Sequence, residues 1–323
     1  SGPVTFVTRP GTYKESFYMF PAQGGSKTNS ITFFNPIGRG VKLEGAGTDT
    51  ITILGSQGAP CGWVTFDGFE FDNSPGALLY NNQQDSPEWE FRNCTFGPNF
   101  GKSGGNYAGT MYMNCSYQQS DSWNIHHCKF TLPAGSSSYG GSLLYAQGLG
   151  KWNIHHNEID LNGTWNAFSM WNQNYSNNRI RNNIIYGKLK DDQNAAILRA
   201  DWSMYDIEFA HNTCVVEMGS KVTRLFELGG CCTTRRACWY GNIIYFSGNT
   251  TAAVYEVASN DLQYFRGDGN IYWNPAVKAA NLGIGRSSTT ATPWNLTQWQ
   301  SQVPNQEKAS QVVDPLLLKP KPP

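Results

Sequence analysis

The chain has 323 residues, and its 24 Lys+Arg balance 24 Asp+Glu, so the formal net charge is zero. That balance excludes a basic nucleic-acid binder that works by phosphate neutralisation, and the apolar runs are too short to span a membrane. Only 15% of residues are charged, against about 25% in typical soluble domains, and 34 Gly, 11 Trp, 16 Tyr and 30 Asn take their place. Such a composition predicts a β-rich, turn-rich, extracellular protein without long surface helices. The opening residues carry no secretory h-region, as expected where a chain starts at its mature end.

In chain order, the segments FDGFEF (66–71), FRNCTF (91–96), IHHCKF (125–130), IHHNEI (154–159), IRNNII (180–185), FAHNTC (209–214), WYGNII (239–244) and RGDGNIY (266–272) repeat one another. They bring Phe69, Cys94, Cys128, Asn157, Asn183, Asn212, Asn242 and Asn270 into one column at intervals of 25 to 34 residues. The units lack the Leu pattern of a leucine-rich repeat and are too short for four-stranded propeller blades. A solenoid fits, because an inward Asn can hydrogen-bond its copies one rung up and down. Asn also tolerates the left-handed conformation that a sharp corner needs. Trp89, Trp123 and Trp152 fall five residues before the column and predict an internal aromatic stack.

Most units carry a further strand: 77–82, 110–115, 142–147, 167–172, 195–200, 223–228 and 252–257. Alternation is read with Tyr80, Met113, Tyr145, Met170, Leu198, Phe226 and Tyr255 inward. That puts Asn81, Asn114, Ala146, Trp171, Arg199, Glu227 and Glu256 on the outer face. The other register would bury three charged residues together.

On these repeats the chain resembles the right-handed parallel β-helix superfamily of pectate lyases, polygalacturonases and phage tailspikes. The opening PGTYKE is similar to the usual first coil, and the close, from GDGNIYWN through WNLTQWQ, to that of secreted members. The resemblance covers nearly the whole length. It implies an all-β fold: a single-stranded right-handed parallel β-helix of about ten coils over 1–275, with an internal Asn/Cys corner column. Residues 276–323 would form a tail packed along the side with a Pro-rich end.

The expected activity, by that resemblance and by the outer column, is glycoside hydrolysis or polysaccharide lysis on an extracellular polysaccharide. Glu227 and Glu256 on adjacent rungs would bring two carboxyls about 5–6 Å apart, as retaining glycosidases require. Arg199 would keep one ionised, and Trp171 and Trp202 offer flat faces for sugar rings, as does Trp165. A structural Arg199–Glu227 ion pair is the plainer reading. His126 and His155 share an outward column with Asp67, Arg92 and Arg181. With Arg181 they would bind anionic sugar or serve as a base, or form only a solvated stack. His127, His156 and His211 adjoin the corner and read as structural.

The loop GKLKDDQN holds Lys188, Lys190, Asp191 and Asp192. Its Asp doublet resembles that of polygalacturonases, without their Gly-His-Gly or Arg-Ile-Lys. Asp201, Asp206 and Glu208 could bind Ca²⁺, although no ligand loop is recognisable; no other metal or cofactor is expected. Eight Cys without CxxC spacing predict disulfides, Cys94 with Cys128 between rungs and Cys214, Cys231, Cys232 and Cys238 among themselves. Sequons at Asn93, Asn114, Asn162, Asn174, Asn249 and Asn295 predict glycans. The alternative function is a non-catalytic structural or adhesive module of an extracellular glycoprotein assembly. Polysaccharide or glycan is the expected partner, with end-to-end self-assembly open to it and no role for nucleic acid or membrane.

Overall fold

A computed structural model describes residues 2–15, 17–19, 25–36, 40–45, 52–54, 62–74, 78–82, 88–99, 109–115, 122–135, 142–148, 151–171, 177–201, 205–229, 235–290, 292–303 and 305–317. The fold is a parallel β-solenoid. Three sheets of 10, 11 and 10 strands run its length, and successive coils add one strand to each. One coil shows the pattern: Lys151–His155 joins the first sheet, Glu158–Asp160 the second and Asn166–Trp171 the third. Each strand pairs in parallel with its copies in the coils before and after it.

The period-two alternation of the sequence sends one set of side chains inward. On the first sheet Trp89, Trp123 and Trp152 pair in register and are fully buried, with ring centroids 5.5 and 5.4 Å apart. The expected aromatic stack is therefore present. Phe71, Phe96 and Phe130 form a similar column on the second sheet, with centroids 4.9 and 4.6 Å apart. Burying each such ring contributes roughly 1.5–3 kcal/mol relative to exposure.

The corner between first and second sheets holds the repeat in register. Asn157, Asn183, Asn212, Asn242 and Asn270 are buried there. Each of the first four donates its Nδ2–H to the side-chain oxygen of the next at 2.9–3.3 Å, and that oxygen also accepts the backbone N–H of the donor's residue. Each Nδ2 also donates to a carbonyl of the coil before, as Asn212 does to Ile180 at 2.8 Å. The left-handed residue is the one before the Asn. His127, His156, Asn182 and His211 have φ of 54–55°, and Gly241 and Gly269 take their place in the last coils. The Asn column is thus a hydrogen-bond ladder, and its left-handed neighbour makes the turn.

Residues beyond 275 close the end of the solenoid instead of running along its side. Gly285–Ser287 is the last strand of the third sheet, and Gln311–Val312 is the last of the second. Between them Asn295 caps the helix Leu296–Gln302 with a reciprocal Asn295–Gln298 capping box. Trp299 on the helix and its C-cap residue Val303 are buried. Trp299 packs on the inward rings of Tyr255 and Phe265, at 6.1 and 5.2 Å. A Cβ on Gly285 would strike the Trp299 ring, so that strand needs glycine. Residues 318–323 lie outside the described residues.

Candidate functional site

The register of the third sheet sets out the expected acidic pair. Tyr80, Tyr112, Tyr145, Ser169, Arg199, Glu227, Glu256 and Arg286 follow one another in a single column. Glu227 and Glu256 are therefore neighbours, with Arg199 one rung before them. Leu198, Phe226 and Tyr255 face inward as expected. Tyr145 does not: it stands in the Arg199 column, with which the backbone of Tyr80 is also in register. Ala146, expected outside, is buried in the column of Met113, Met170 and Ala200. The backbone of Asn81 is in register with that column, and Asn114 and Trp171 are in register with Gln147 one residue further along. Leu143, Leu144, Tyr145 and Ala146 run together without a charge, so alternation does not fix the phase there. Trp171 accordingly pairs with Asp201, not with Arg199, and Trp202 lies outside the described residues.

Arginines close this pair. Arg199 Nε is 3.4 Å from Glu227 Oε2. Arg224 donates to the same oxygen from Nε at 3.1 Å and from Nη2. Arg286 Nε donates to Glu256 Oε2 at 2.7 Å, and Arg224 Nε stands 4.0 Å from Glu256 Oε1. The order of charge is Arg199, Glu227, Arg224, Glu256, Arg286. A general acid needs a proton, and a nucleophile needs a free lone pair facing substrate. The alternating ion pairs instead turn one oxygen of each carboxylate toward arginine. Arg224 and Arg286 escaped the sequence reading. Arg286 lies beyond the repeats used there, although Glu256 plus one further period reaches it. Arg224 is in inward phase at a strand start, where its stem turns along the sheet to Glu227 and to the Gln193 carbonyl.

The first-sheet column Asp67, Arg92, His126, His155, Arg181 exists as aligned. Asp67 accepts from Arg92 Nε at 2.9 Å and from Asn93 Nδ2 at 2.8 Å. The His126 and His155 rings stack 4.9 Å apart at 4°, and those of His127 and His156 5.3 Å apart at 4°. His126 Nε2 lies 2.9 Å from Glu90 Oε1, and His155 Nε2 lies 3.0 Å from Asn124 Oδ1. The His126 contact, ahead of Arg92, holds the Glu90 carboxyl below its usual range. Burial, then the neighbouring imidazoles and Arg181, lower His155 to about 4. His155 is therefore a neutral ring at physiological pH and does not attract an anionic sugar by charge.

The loop acids serve the backbone. Asp191 Oδ1 accepts the Lys221 N–H at 2.8 Å and Asp192 Oδ1 the Asn194 N–H at 2.9 Å, a bond that lowers the Asp192 carboxyl. Lys188 pairs with Glu217 at 3.3 Å. Trp165, expected in a loop or on the outer face, is buried at 5% exposure. Among the described residues no three His, Cys, Asp or Glu converge as a metal centre; of the trio Asp201, Asp206 and Glu208, the Asp201 side chain lies outside them. Among them, too, no helix is long and apolar enough to cross a membrane.

The cysteines are a correction. Cys94, Cys128, Cys214 and Cys238 carry free thiols, and Cys231 and Cys232 lie outside the described residues. Cys94 and Cys128 do occupy adjacent rungs of the corner column. Each thiol lies 3.2 Å from a carbonyl of its own coil, Arg92 and His126 respectively, and 3.5 Å from one of the coil before, Phe66 and Phe91, where the lower rungs place an amide. Burial raises the Cys128 and Cys214 thiols, the latter beyond any physiological range, which makes them packing groups. Of the sequons, Asn93 and Asn162 are exposed at left-handed corners, and Asn249 and Asn295 are half-buried. Asn249 donates Nδ2 to both Ser220 and Val222 carbonyls, and Asn295 caps the terminal helix. Asn174 lies outside the described residues, as does the Asn114 side chain.

A second surface was not foreseen. Outer positions of the second sheet read Ile184, Thr213, Ile243, Ile271 in one column and Tyr186, Val215, Tyr245, Trp273 in the next. Ile184 is 54% exposed and the other seven are half-buried. Earlier coils of the same face are charged: Lys42 sits 3.2–3.5 Å from Glu44, Glu70 and Asp72, and Lys129 pairs with Glu158 at 2.9 Å. Comparison of the sequence with known protein families, with characterised proteins and with solved structures finds no match.

Proposed function

We propose that the chain is an extracellular, non-catalytic β-helix module that binds a polysaccharide or a glycan along its side, within the right-handed β-helix superfamily that its repeats resemble. The observation that carries the non-catalytic reading is the column Arg199, Glu227, Arg224, Glu256, Arg286, in which arginines hold both carboxylates. The binding surface in this reading is the outer face of the second sheet. Tyr186, Tyr245 and Trp273 lie in one line there. Successive rungs are about 4.8 Å apart, close to the length of one pyranose unit, so the apolar faces of a sugar chain can follow the rings. Low charge and the exposed sequons Asn93 and Asn162 support an extracellular setting.

The test is a polysaccharide panel read for retention in affinity gels, for reducing ends and for unsaturated products. Retention without turnover is expected. Tyr245→Ala and Trp273→Ala should each weaken retention about 5-fold, from about 1 kcal/mol per stacked ring. Turnover that disappears in Glu227→Gln and Glu256→Gln would reverse the reading and make the protein a carbohydrate-active enzyme.

A further inference from the structure

The histidines of the first corner form two facing pairs, and we infer that the upper pair, His126 and His127, binds a divalent transition-metal ion, cupric ion foremost, through the two Nδ1 atoms. His126 Nδ1 and His127 Nδ1 are 2.8 Å apart, on rings inclined at 82°. The arrangement recurs one rung on, where His155 and His156 have Nδ1 atoms 2.8 Å apart and an 85° inclination. The left-handed backbone at His127 turns the two successive side chains toward each other.

A proton occupies the gap. His126 Nε2 faces the Glu90 carboxylate, which only accepts, so His126 carries its proton there and turns a bare Nδ1 lone pair toward His127. His127 then donates its Nδ1–H. This is how metal-binding imidazoles are commonly prepared: the far nitrogen donates to a carboxylate, which fixes the tautomer and raises the basicity of the near one. With metal–nitrogen bonds of about 2.0–2.1 Å, right-angled ligands lie about 2.9 Å apart and tetrahedral ones about 3.3 Å. The observed 2.8 Å fits the right angle of tetragonal Cu²⁺ or Ni²⁺ better than tetrahedral Zn²⁺. The Irving–Williams order puts Cu²⁺ first. When the ion enters, the two Nδ1 atoms displace two of its water ligands, and the His127 proton moves to Nε2, so no proton is lost. His127 is exposed and borders an open hollow of about 410 Å³, so water fills the remaining positions.

Charge favours the upper pair. Glu90 stands behind His126, and the one adjacent cation, Arg92, is shared between Asp67 at 2.9 Å and Glu90 at 3.5 Å, which leaves a net negative charge there. Behind His155 is the neutral Asn124, and Arg181 follows it in the column. One ion cannot serve all four rings, because stacked centroids are 4.9 and 5.3 Å apart. A second ion that close to the first meets strong repulsion.

The full chain, titrated calorimetrically with cupric sulfate at neutral pH and followed by electron paramagnetic resonance, should take one tight equivalent with hyperfine structure from two nitrogens. His127→Asn and His126→Ala should abolish that site. Both variants keep the fold, since Asn93 and Asn182 hold the same corner with φ of 55° and Ala210 occupies the His126 column. Glu90→Gln should weaken it about 10-fold or more. His156→Asn and His155→Ala should keep it, and zinc should bind at least 10-fold more weakly. Tight copper binding in both upper-pair variants, zinc binding as tight as copper, or loss confined to the lower-pair variants would each overturn the assignment.

Discussion

One corner column is built in two ways. In the upper coils Phe69, Cys94 and Cys128 fill it, and from Asn157 to Asn270 it is all amide. Geometry barely changes at the switch: the Cys128 N–H already donates to Asn157 Oδ1 at 2.9 Å, and its thiol aims at the carbonyl an amide would take. What changes is connectivity. A thiol offers one weak donor and a poor acceptor, whereas an amide donates twice and accepts twice. Thiol rungs are thus joined by packing and strand pairing, and amide rungs also by a continuous polar ladder. Such a ladder suits a dry site only if every group in it is paired.

Breaking the amide half should have the largest effect. Asn212→Leu keeps the branched side-chain skeleton but leaves the buried Asn183 N–H without its acceptor and removes the donor to Ile180. Losses of about 1–3 kcal/mol per unpaired group put the cost at roughly 3–4 kcal/mol. Cys128→Ala should cost only about 1 kcal/mol, the contribution of a small apolar group and a weak donor. Urea unfolding of the two variants, compared at constant m, measures the difference; equal costs would show that the ladder adds nothing beyond packing.

The next effect lies at the ladder's foot. Asn270 has no further Asn below it: Ser310 Oγ accepts its N–H at 2.9 Å, and the Glu307 carboxylate accepts from its Nδ2 and from Tyr272. Glu307 is fully buried, and burial pushes its carboxyl up to about 7. Its pKa is thus higher folded than unfolded, so the folded state binds this proton more tightly. The group's contribution to stability is complete below about pH 4.5 and is lost as pH rises through about 7, a span of about 3 kcal/mol. Glu307→Gln should remove that slope. Parent and variant, melted at intervals between these limits, should therefore diverge toward neutral pH; parallel curves would mean that Glu307 does not titrate there.

The difference between the halves also marks what could be read from sequence. The corner column was legible because buried amide and thiol positions recur at a near-constant interval, and the tryptophan stack keeps a fixed offset from them. Third-sheet phase was legible where charge fixes it, at Arg199, Glu227 and Glu256, and Met170, read as inward, is also buried. Among Leu144, Tyr145 and Ala146 an apolar run hides which face is which. Glu227 and Glu256 were correctly placed side by side, but their arginine partners decide their chemistry. Of these, Arg224 breaks alternation at a strand start, and no periodic reading recovers it. The disulfide expectation failed for a related reason. Proximity of Cys94 and Cys128 was legible, whereas the backbone carbonyls that orient their thiols, in their own coil and in the one before, were not.

The smallest effect is the sharpest test of the comparison. Cys128→Asn would extend the ladder by one rung. The new Nδ2 could donate to the Phe91 carbonyl, which the Cys128 thiol now faces at 3.5 Å, and to Asn157 Oδ1, which already accepts the Cys128 N–H at 2.9 Å. Its Oδ1 would point toward the rung of Cys94. Asn is larger than Cys and polar, so the change stabilises only if its hydrogen bonds form; an unpaired amide at this buried position would cost about 1–3 kcal/mol. With its donors placed, a gain of about 1 kcal/mol is expected. If the variant is instead destabilised by more than about 1 kcal/mol, the upper coils are not equivalent to the lower ones, and the thiols there reflect a tighter corner. An accompanying Cys94→Asn exchange separates the cases, since a continuous ladder predicts that the second substitution is tolerated better in the presence of the first.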